Sequence, residues 1–175
     1  MQEGLHSRAI EEPVEIQEPR INLRGFRVNR ANGIKLAIAV LLLALDQAIK
    51  WYTVLQEPNL TLGPIKFVLF LNRGIVFSLP VPSLIYLPVA VIVLLLFIGG
   101  LADAIRKQSP TIFGLALVVA GAISNLIDRF AHQATVDYLL FFERSAVNLA
   151  DGMILLGVIL YLQATKRPPE PANQP

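Results

Sequence analysis

Hydrophobic positions in this chain gather into four long runs, separated by short polar or mixed stretches. The runs cover about Ile34 to Leu55, Val81 to Leu101, Thr111 to Ile127 and Val147 to Gln163. A helix of roughly 17–25 mostly apolar residues crosses a hydrocarbon core about 30 Å thick. The pattern therefore predicts four transmembrane helices. Residues 56–80 do not span. Within them Ile65 to Leu71 is β-branched and aromatic, with Gly63-Pro64 before it and Asn72-Arg73-Gly74 after. That composition predicts a strand and a turn resting on the interface or covering a cleft. The fold class expected is all-α integral membrane, with four helices and a small extracytoplasmic β-like segment between helices one and two. The membrane domain is drawn at 34–163. Residues 1–33 and 164–175 are polar and are expected to be largely disordered cytoplasmic tails.

Composition agrees with this. The chain has 175 residues, 54% hydrophobic and 16% charged, with a mean hydropathy of +0.58. That is too apolar for an ordinary soluble domain and leaves room for one compact membrane domain. The absence of cysteine removes disulfides and a thiol nucleophile. Glu3, Glu11, Glu12, Glu15 and Glu18 are followed by Arg20, Arg24, Arg27 and Arg30. The basic end of this tail would lie on anionic lipid, and a nucleic-acid partner is not expected. No short apolar core with a small-residue cleavage site marks a removable signal peptide. Basic residues also fix an orientation. Arg20 to Lys35, Arg106 with Lys107, and Lys166 with Arg167 would share the cytoplasmic side, against Lys66, Arg73, Arg129 and Arg144 on the other.

Polar residues inside the runs carry the candidate chemistry. Asp46 and Lys50 stand at i and i+4, on one helix face, where they can pair; Lys50 is also near enough to the run's end to snorkel outward. Pro82 and Pro88 fall in the first turns of the second run. In the third, Ala116, Ala120 and Ser124 form a small-residue stripe for close helix packing. Gly121, Asn125 and Asp128 form a neighbouring polar face. Asp128 next to Arg129 reads as a structural ion pair. Asn72 reads by composition as a turn residue. Asn148 and Asp151 stand at i and i+3 where the fourth run begins.

The stretch from Thr135 to Gly152 contains two aspartates, Asp137 and Asp151, in apolar surroundings beside membrane-length runs. Ionisable groups there are costly and usually functional. Two carboxylates brought together share a proton, one ionised and one protonated, and can activate a water. Asp151 would sit at a helix N-terminus, which favours its anion, so Asp151 is expected to be the base and Asp137 the acid. On the expected topology all these polar residues collect near the extracytoplasmic face. A serine peptidase built on Ser124 and His132 lacks any supporting motif. A zinc peptidase is disfavoured because His6 and His132 are the only histidines and no H-E-x-x-H occurs. A different class, a small proton-coupled transporter with Asp46, Asp137 and Asp151 as a relay, stays open.

Taken in order, L-D-Q-x-x-K (from Leu45), N-x-G-x-x-F-S (from Asn72), N-L-I-D-R (from Asn125), V-D-Y (from Val136) and N-L-A-D (from Asn148) resemble the lipoprotein signal peptidase (signal peptidase II) family. The resemblance covers Leu45 to Asp151. It implies an intramembrane aspartyl endopeptidase that cuts diacylglyceryl-modified prolipoproteins just before the lipidated cysteine. It also implies Asp137 and Asp151 as the catalytic pair. Asn72 and Gly74 match the family's extended extracytoplasmic segment, and Asp46, Lys50, Asn125, Asp128, Arg129 and Asn148 match further functional or site-shaping positions. No metal or organic cofactor is implied. The expected partners are the prolipoprotein substrates and membrane lipid. The expected protein is a monomer in the bacterial inner membrane, with both termini cytoplasmic. The family commonly has glycine at the position of Ser124, phenylalanine at Val147 and serine at Gly152. These departures leave open a paralogue with altered or impaired activity.

Overall fold

The computed structural model describes residues 28–74 and 83–166, with side chains of the second stretch described from Tyr86 onward. Most of both expected tails, Phe77 and Ser78 of the second motif, and Pro82 lie outside the described residues. The order of elements is α1 (Arg30–Gln56), β1 (Asn59–Leu62), β2 (Ile65–Asn72), α2 (Ser83–Arg106), α3 (Ile112–His132), β3 (Thr135–Phe141), β4 (Ser145–Val147) and α4 (Leu149–Lys166). All four helices are long and apolar enough to cross a membrane.

Several helix boundaries differ from expectation, and α3 runs on to His132. Asn29 caps α1 by accepting from the Asn32 N–H at 2.8 Å, so the helix starts four residues before Ile34. Asp103 and Arg106, beyond the apolar run that ends at Leu101, are in the last turns of α2, and α4 continues through Lys166. Hydropathy marks where apolar residues stop, whereas a helix runs on until its backbone is capped.

The fold is mostly helical but not all-α. A four-stranded antiparallel sheet, ordered β1-β2-β3-β4, joins the segment after α1 to the one between α3 and α4. The strand expected at Ile65 to Leu71 is β2. The residues between α3 and α4, for which the apolar pattern predicts no element, supply β3 and β4. The sequence Thr-Val-Asp-Tyr-Leu-Leu-Phe is β-branched and aromatic, and β2 gives it a partner to pair with along its length.

The bundle is organised around α3, whose most apolar stretch is 61% buried, against 17% for the corresponding stretch of each other helix. The outer helices turn leucine, isoleucine and valine outward: Val40, Leu41, Leu95, Leu96 and Leu155 are all more than half exposed. That is the arrangement of lipid-facing helices around a central one. Ala116 and Ala120 of the expected stripe pack with Ala39, Leu117 and Met153 in the core. The closest helix approach uses glycines instead. A Cβ on Gly114 would lie 2.7 Å from the Gly157 carbonyl, one on Gly157 2.6 Å from the Gly114 carbonyl, and one on Gly121 2.6 Å from the Ala150 carbonyl. Gly121 is thus a packing residue between α3 and α4 and not part of a polar face.

Candidate functional site

Strand register decides what faces what around Asp137. Phe67 pairs with Leu139, but Phe70 pairs with Asp137, so β2 has one extra residue there, a β-bulge. Side chains alternate along a strand. Without the extra residue Asn72 would face away from Asp137; with it the two share a face. Asn72 Nδ2 then donates to Asp137 Oδ2 at 3.0 Å, while its Oδ1 accepts from the Gly74 N–H at 3.0 Å. Asn72 therefore makes its expected turn and also holds an aspartate.

The start of α4 places the second aspartate. Asn148 is the N-cap, and its Oδ1 accepts from the Asp151 N–H at 2.9 Å, while Asp151 Oδ2 accepts from the Asn148 N–H at 3.2 Å. This reciprocal pair is a capping box written with asparagine and aspartate. The Asn148 Nδ2 points the other way and donates to Asp137 Oδ1 at 2.7 Å. One asparagine thus holds both carboxylates. Asn125 completes the link: its Nδ2 donates to Asp151 Oδ1 at 2.8 Å, and its Oδ1 accepts from Asn148 Nδ2 at 3.1 Å.

Both aspartates line one cavity of about 760 Å3 between the sheet and α4. Asn72, Asn125, Arg129 and Thr135 contribute its polar wall, and Phe70, Val147, Ile154, Leu155 and Val158 its apolar wall. Burial pushes the Asp137 carboxyl up from 3.8 to about 6. The Asn72 and Asn148 hydrogen bonds pull it down, and the nearby Asp151 charge adds to the rise.

Beneath the pair lies a buried ionic cluster. Lys50 is 2% exposed and does not snorkel; it turns into the bundle, where Nζ meets Asp46 Oδ2 at 2.8 Å and Asp128 Oδ2 at 2.7 Å. The i, i+4 pair expected for Asp46 and Lys50 is therefore present, and Asp128 joins it instead of pairing with Arg129. Adjacent residues on a helix point about 100° apart, and here Asp128 faces α1. Its Oδ2 also accepts from the Val136 N–H at 3.1 Å, next to Asp137. Arg129 instead donates from Nε to Thr135 Oγ1 at 2.9 Å and from Nη2 to the Gly74 carbonyl at 3.5 Å. Its guanidinium lies 4.6 Å from the centre of the Tyr86 ring. Arg129 so joins α2, the turn after β2 and the start of β3 at the cavity wall.

Sequence reasoning missed several members of this cluster. Ser124 belongs to the small-residue stripe, but its Oγ donates to Asp46 Oδ2 and accepts from Lys50 Nζ at 3.2 Å and Gln47 Nε2 at 2.8 Å. Gln47 also donates to Asp128 Oδ1 at 3.2 Å. Tyr138 reaches Asp46 from β3. A signal was available: Gln47 and Tyr138 each directly follow a singled-out aspartate, at Asp46 and Asp137. Among the described residues no buried side-chain nitrogen or oxygen lacks a partner.

The chain is similar to known proteins in sequence and in fold. The family pattern described as Signal peptidase (SPase) II matches residues 38–166. A lipoprotein signal peptidase of Bartonella henselae is 35% identical over 133 residues, covering 69% of this chain and 80% of that protein. One from Streptococcus pneumoniae is 31% identical over 146 residues, covering 77% and 94%. Among solved structures, a bacterial membrane enzyme determined by the in meso method at 1.9 Å resolution superposes with a TM-score of 0.63. It is 21% identical and covers 77% of this chain and 94% of its own, a likeness of fold.

Proposed function

The chain belongs to the signal peptidase II family, a bacterial multi-pass membrane protease, and we propose that Asp137 and Asp151 are the acid–base pair with which it cleaves prolipoprotein signal peptides. The observation that supports this best is the shared hold of Asn148 on both carboxylates at the wall of one cavity. Two carboxylates in one site favour a state with a single proton between them. Asp137, raised by burial, is given the part of proton holder, and Asp151, whose Oδ2 accepts from the N–H of its own helix cap, that of base.

The reaction then runs as follows. Asp151 takes a proton from a water while the water oxygen bonds to the scissile carbonyl carbon. Asp137 gives its proton to the carbonyl oxygen, so a neutral gem-diol forms. Asp151 returns its proton to the leaving nitrogen as the carbon–nitrogen bond breaks, and Asp137 recovers a proton from a diol hydroxyl. The products are a signal peptide with a free carboxyl end and a lipid-modified cysteine with a free amine. Cleavage just before that cysteine is part of the same proposal, and the apolar wall of Phe70, Ile154, Leu155 and Val158 suits acyl chains and an apolar signal helix.

On this reading both chain ends face the cytoplasm and the sheet end of the bundle is extracytoplasmic. Arg30, Lys35, Arg106, Lys107 and Lys166 stand at the end of the bundle away from the sheet, against Lys66, Arg73, Arg129 and Arg144 at the sheet end, a small excess in favour of that orientation. Asp46 is occupied by Lys50, Ser124 and Tyr138, which speaks against its serving as one station of a proton relay.

The test uses the purified chain in detergent with a diacylglyceryl-modified prolipoprotein, beside Asp137→Asn and Asp151→Asn. Loss of signal-peptide release in both variants, with folding intact, is expected. Unchanged cleavage in either would falsify the pair. Proton flux or uptake in liposomes without any cleavage would favour a transporter.

A further inference from the structure

We propose that Tyr138 is a positioning residue for the Asp137–Asp151 pair, its hydroxyl fastening the strand that carries the first to the helix start that carries the second. The proposal rests on the function just given. Alternation along β3 turns Asp137 to the cavity and Tyr138 to the opposite face, into the bundle, where it is 3% exposed. There its hydroxyl donates to Asp46 Oδ1 at 2.8 Å and accepts from the Leu149 N–H at 2.8 Å. A phenol has one proton to give, so the direction of the first bond leaves its lone pairs for the second.

Helix α4 needs that acceptor. The first N–H groups of a helix have no partner within it. In α4 the Leu149 N–H goes to Tyr138, the Ala150 N–H to Asp46 Oδ1 at 3.3 Å, and the Asp151 N–H to Asn148 Oδ1. Two of these three acceptors come from other elements, β3 and α1. The position of the helix start is therefore set by Tyr138 and Asp46 and not by its own cap alone. Tyr138 adjoins Asp137 in sequence, and Leu149 lies two residues before Asp151, so the Tyr138–Leu149 bond is a short strut between the two carboxylates' backbones. The ring also packs edge-on against Phe67, with centroids 6.0 Å apart, and phenylalanine would keep that contact while losing both hydrogen bonds.

The test is Tyr138→Phe in the full chain in detergent, assayed with the diacylglyceryl-modified prolipoprotein. Misplacing a reacting group by about 1 Å costs on the order of 100-fold in rate. The expected result is a kcat lowered about 10- to 100-fold with KM within about twofold. The alkaline limb of kcat/KM should also move to lower pH. A loosened helix start admits water beside Asp137 and draws Asp151 away, and both changes favour the ionised Asp137. Parent-like kcat and limb would overturn the proposal. So would a loss of rate matched by a smaller folded fraction with the limb unmoved, because that is a purely structural effect. Should Tyr138→Phe fail to fold, Leu149→Pro removes the N–H partner at a helix position that tolerates proline, together with a leucine side chain that packs on the core around Leu117. It should give the same kinetic signature, and parent-like kinetics there would overturn the strut. If neither folds, Tyr138 serves the fold itself and the proposal falls. Cleavage by Asp137→Asn would sink the aspartyl reading as a whole; an inert Asp137→Asn beside a parent-like Tyr138→Phe sinks only the strut.

Discussion

Lys50 Nζ donates to Asn125 Oδ1 at 3.0 Å, and this contact fixes which way the Asn125 amide faces. The two ends of an amide are nearly the same shape but opposite in hydrogen-bonding sense. With its oxygen held by the ammonium, the nitrogen must face Asp151, and the same oxygen accepts from Asn148, which turns its own nitrogen to Asp137. A buried cation thus sets the polarity of a row of amides ending on both proposed reactive carboxylates.

Lys50→Met would remove that cation and leave Asp46 and Asp128 buried without it. Breaking a buried ion pair from one side costs about 3–5 kcal/mol. The expected outcome is a large drop in Tm, read by thermal unfolding in detergent, together with loss of cleavage in whatever folded fraction remains.

The pH dependence follows from Asp137. Its carboxyl, raised by burial to about 6, is protonated well above the ordinary carboxylate range. Because the acid must carry a proton, kcat/KM should fall about tenfold per pH unit above roughly pH 6. Asn72→Ala removes a hydrogen bond that lowers this value, so the limb should move to higher pH. Stability has the opposite sign from the usual aspartate. The folded chain holds the proton more tightly than the unfolded one, so Asp137 favours folding below about pH 4 and loses that advantage as pH rises through about 6. Asp137→Asn cannot titrate. Its stability relative to the parent should therefore improve by up to about 3 kcal/mol between pH 4 and 7, read as a growing Tm difference.

Ser124 sits between Asp46, Lys50 and Gln47 with its hydroxyl fully used. Ser124→Ala would leave charged partners short of one contact, at a cost of about 1–3 kcal/mol. Cleavage per folded molecule should stay within a few-fold of the parent, because neither proposed reactive carboxylate touches Ser124. A loss beyond a hundredfold with Tm unchanged would contradict this assignment.

Glycines in α4 should respond oppositely to alanine. Gly157→Ala drives a Cβ against the Gly114 carbonyl and the backbone of Val118, and pushing α3 and α4 apart should cost about 1–3 kcal/mol. Gly152→Ala meets nothing within 4 Å and should gain up to about 1 kcal/mol from helix propensity. Urea or thermal unfolding of the two variants side by side distinguishes them.

Much of this was legible in the chain itself. Run length alone gives four spans, and spacing gives the Asp46–Lys50 pair. The partners of Asp128 and Arg129 were not legible, because adjacency in sequence says little about which side of a helix each residue faces. The sheet was half legible. The strand at Ile65–Asn72 has turn signals on both sides, whereas Thr135–Phe141 becomes a strand only because β2 is there to pair with it. The bulge that turns Asn72 towards Asp137 leaves no local signature, since it is a property of two strands together. Tyr138 was passed over for a related reason: a tyrosine beside an aspartate looks like strand filling until the start of α4 arrives at its hydroxyl.

The reciprocal cap at Asn148 and Asp151 has a consequence for inhibition. A carboxylate that closes the end of its own helix is held in one rotamer by that bond. A molecule that required it to swing aside would have to break its bonds to the Asn148 N–H and to Asn125 Nδ2 and leave the start of α4 without part of its cap, at a cost of about 0.5–2 kcal/mol for the cap. Compounds that accept the side chain where it already points meet a held target, and those that do not must offset the lost cap.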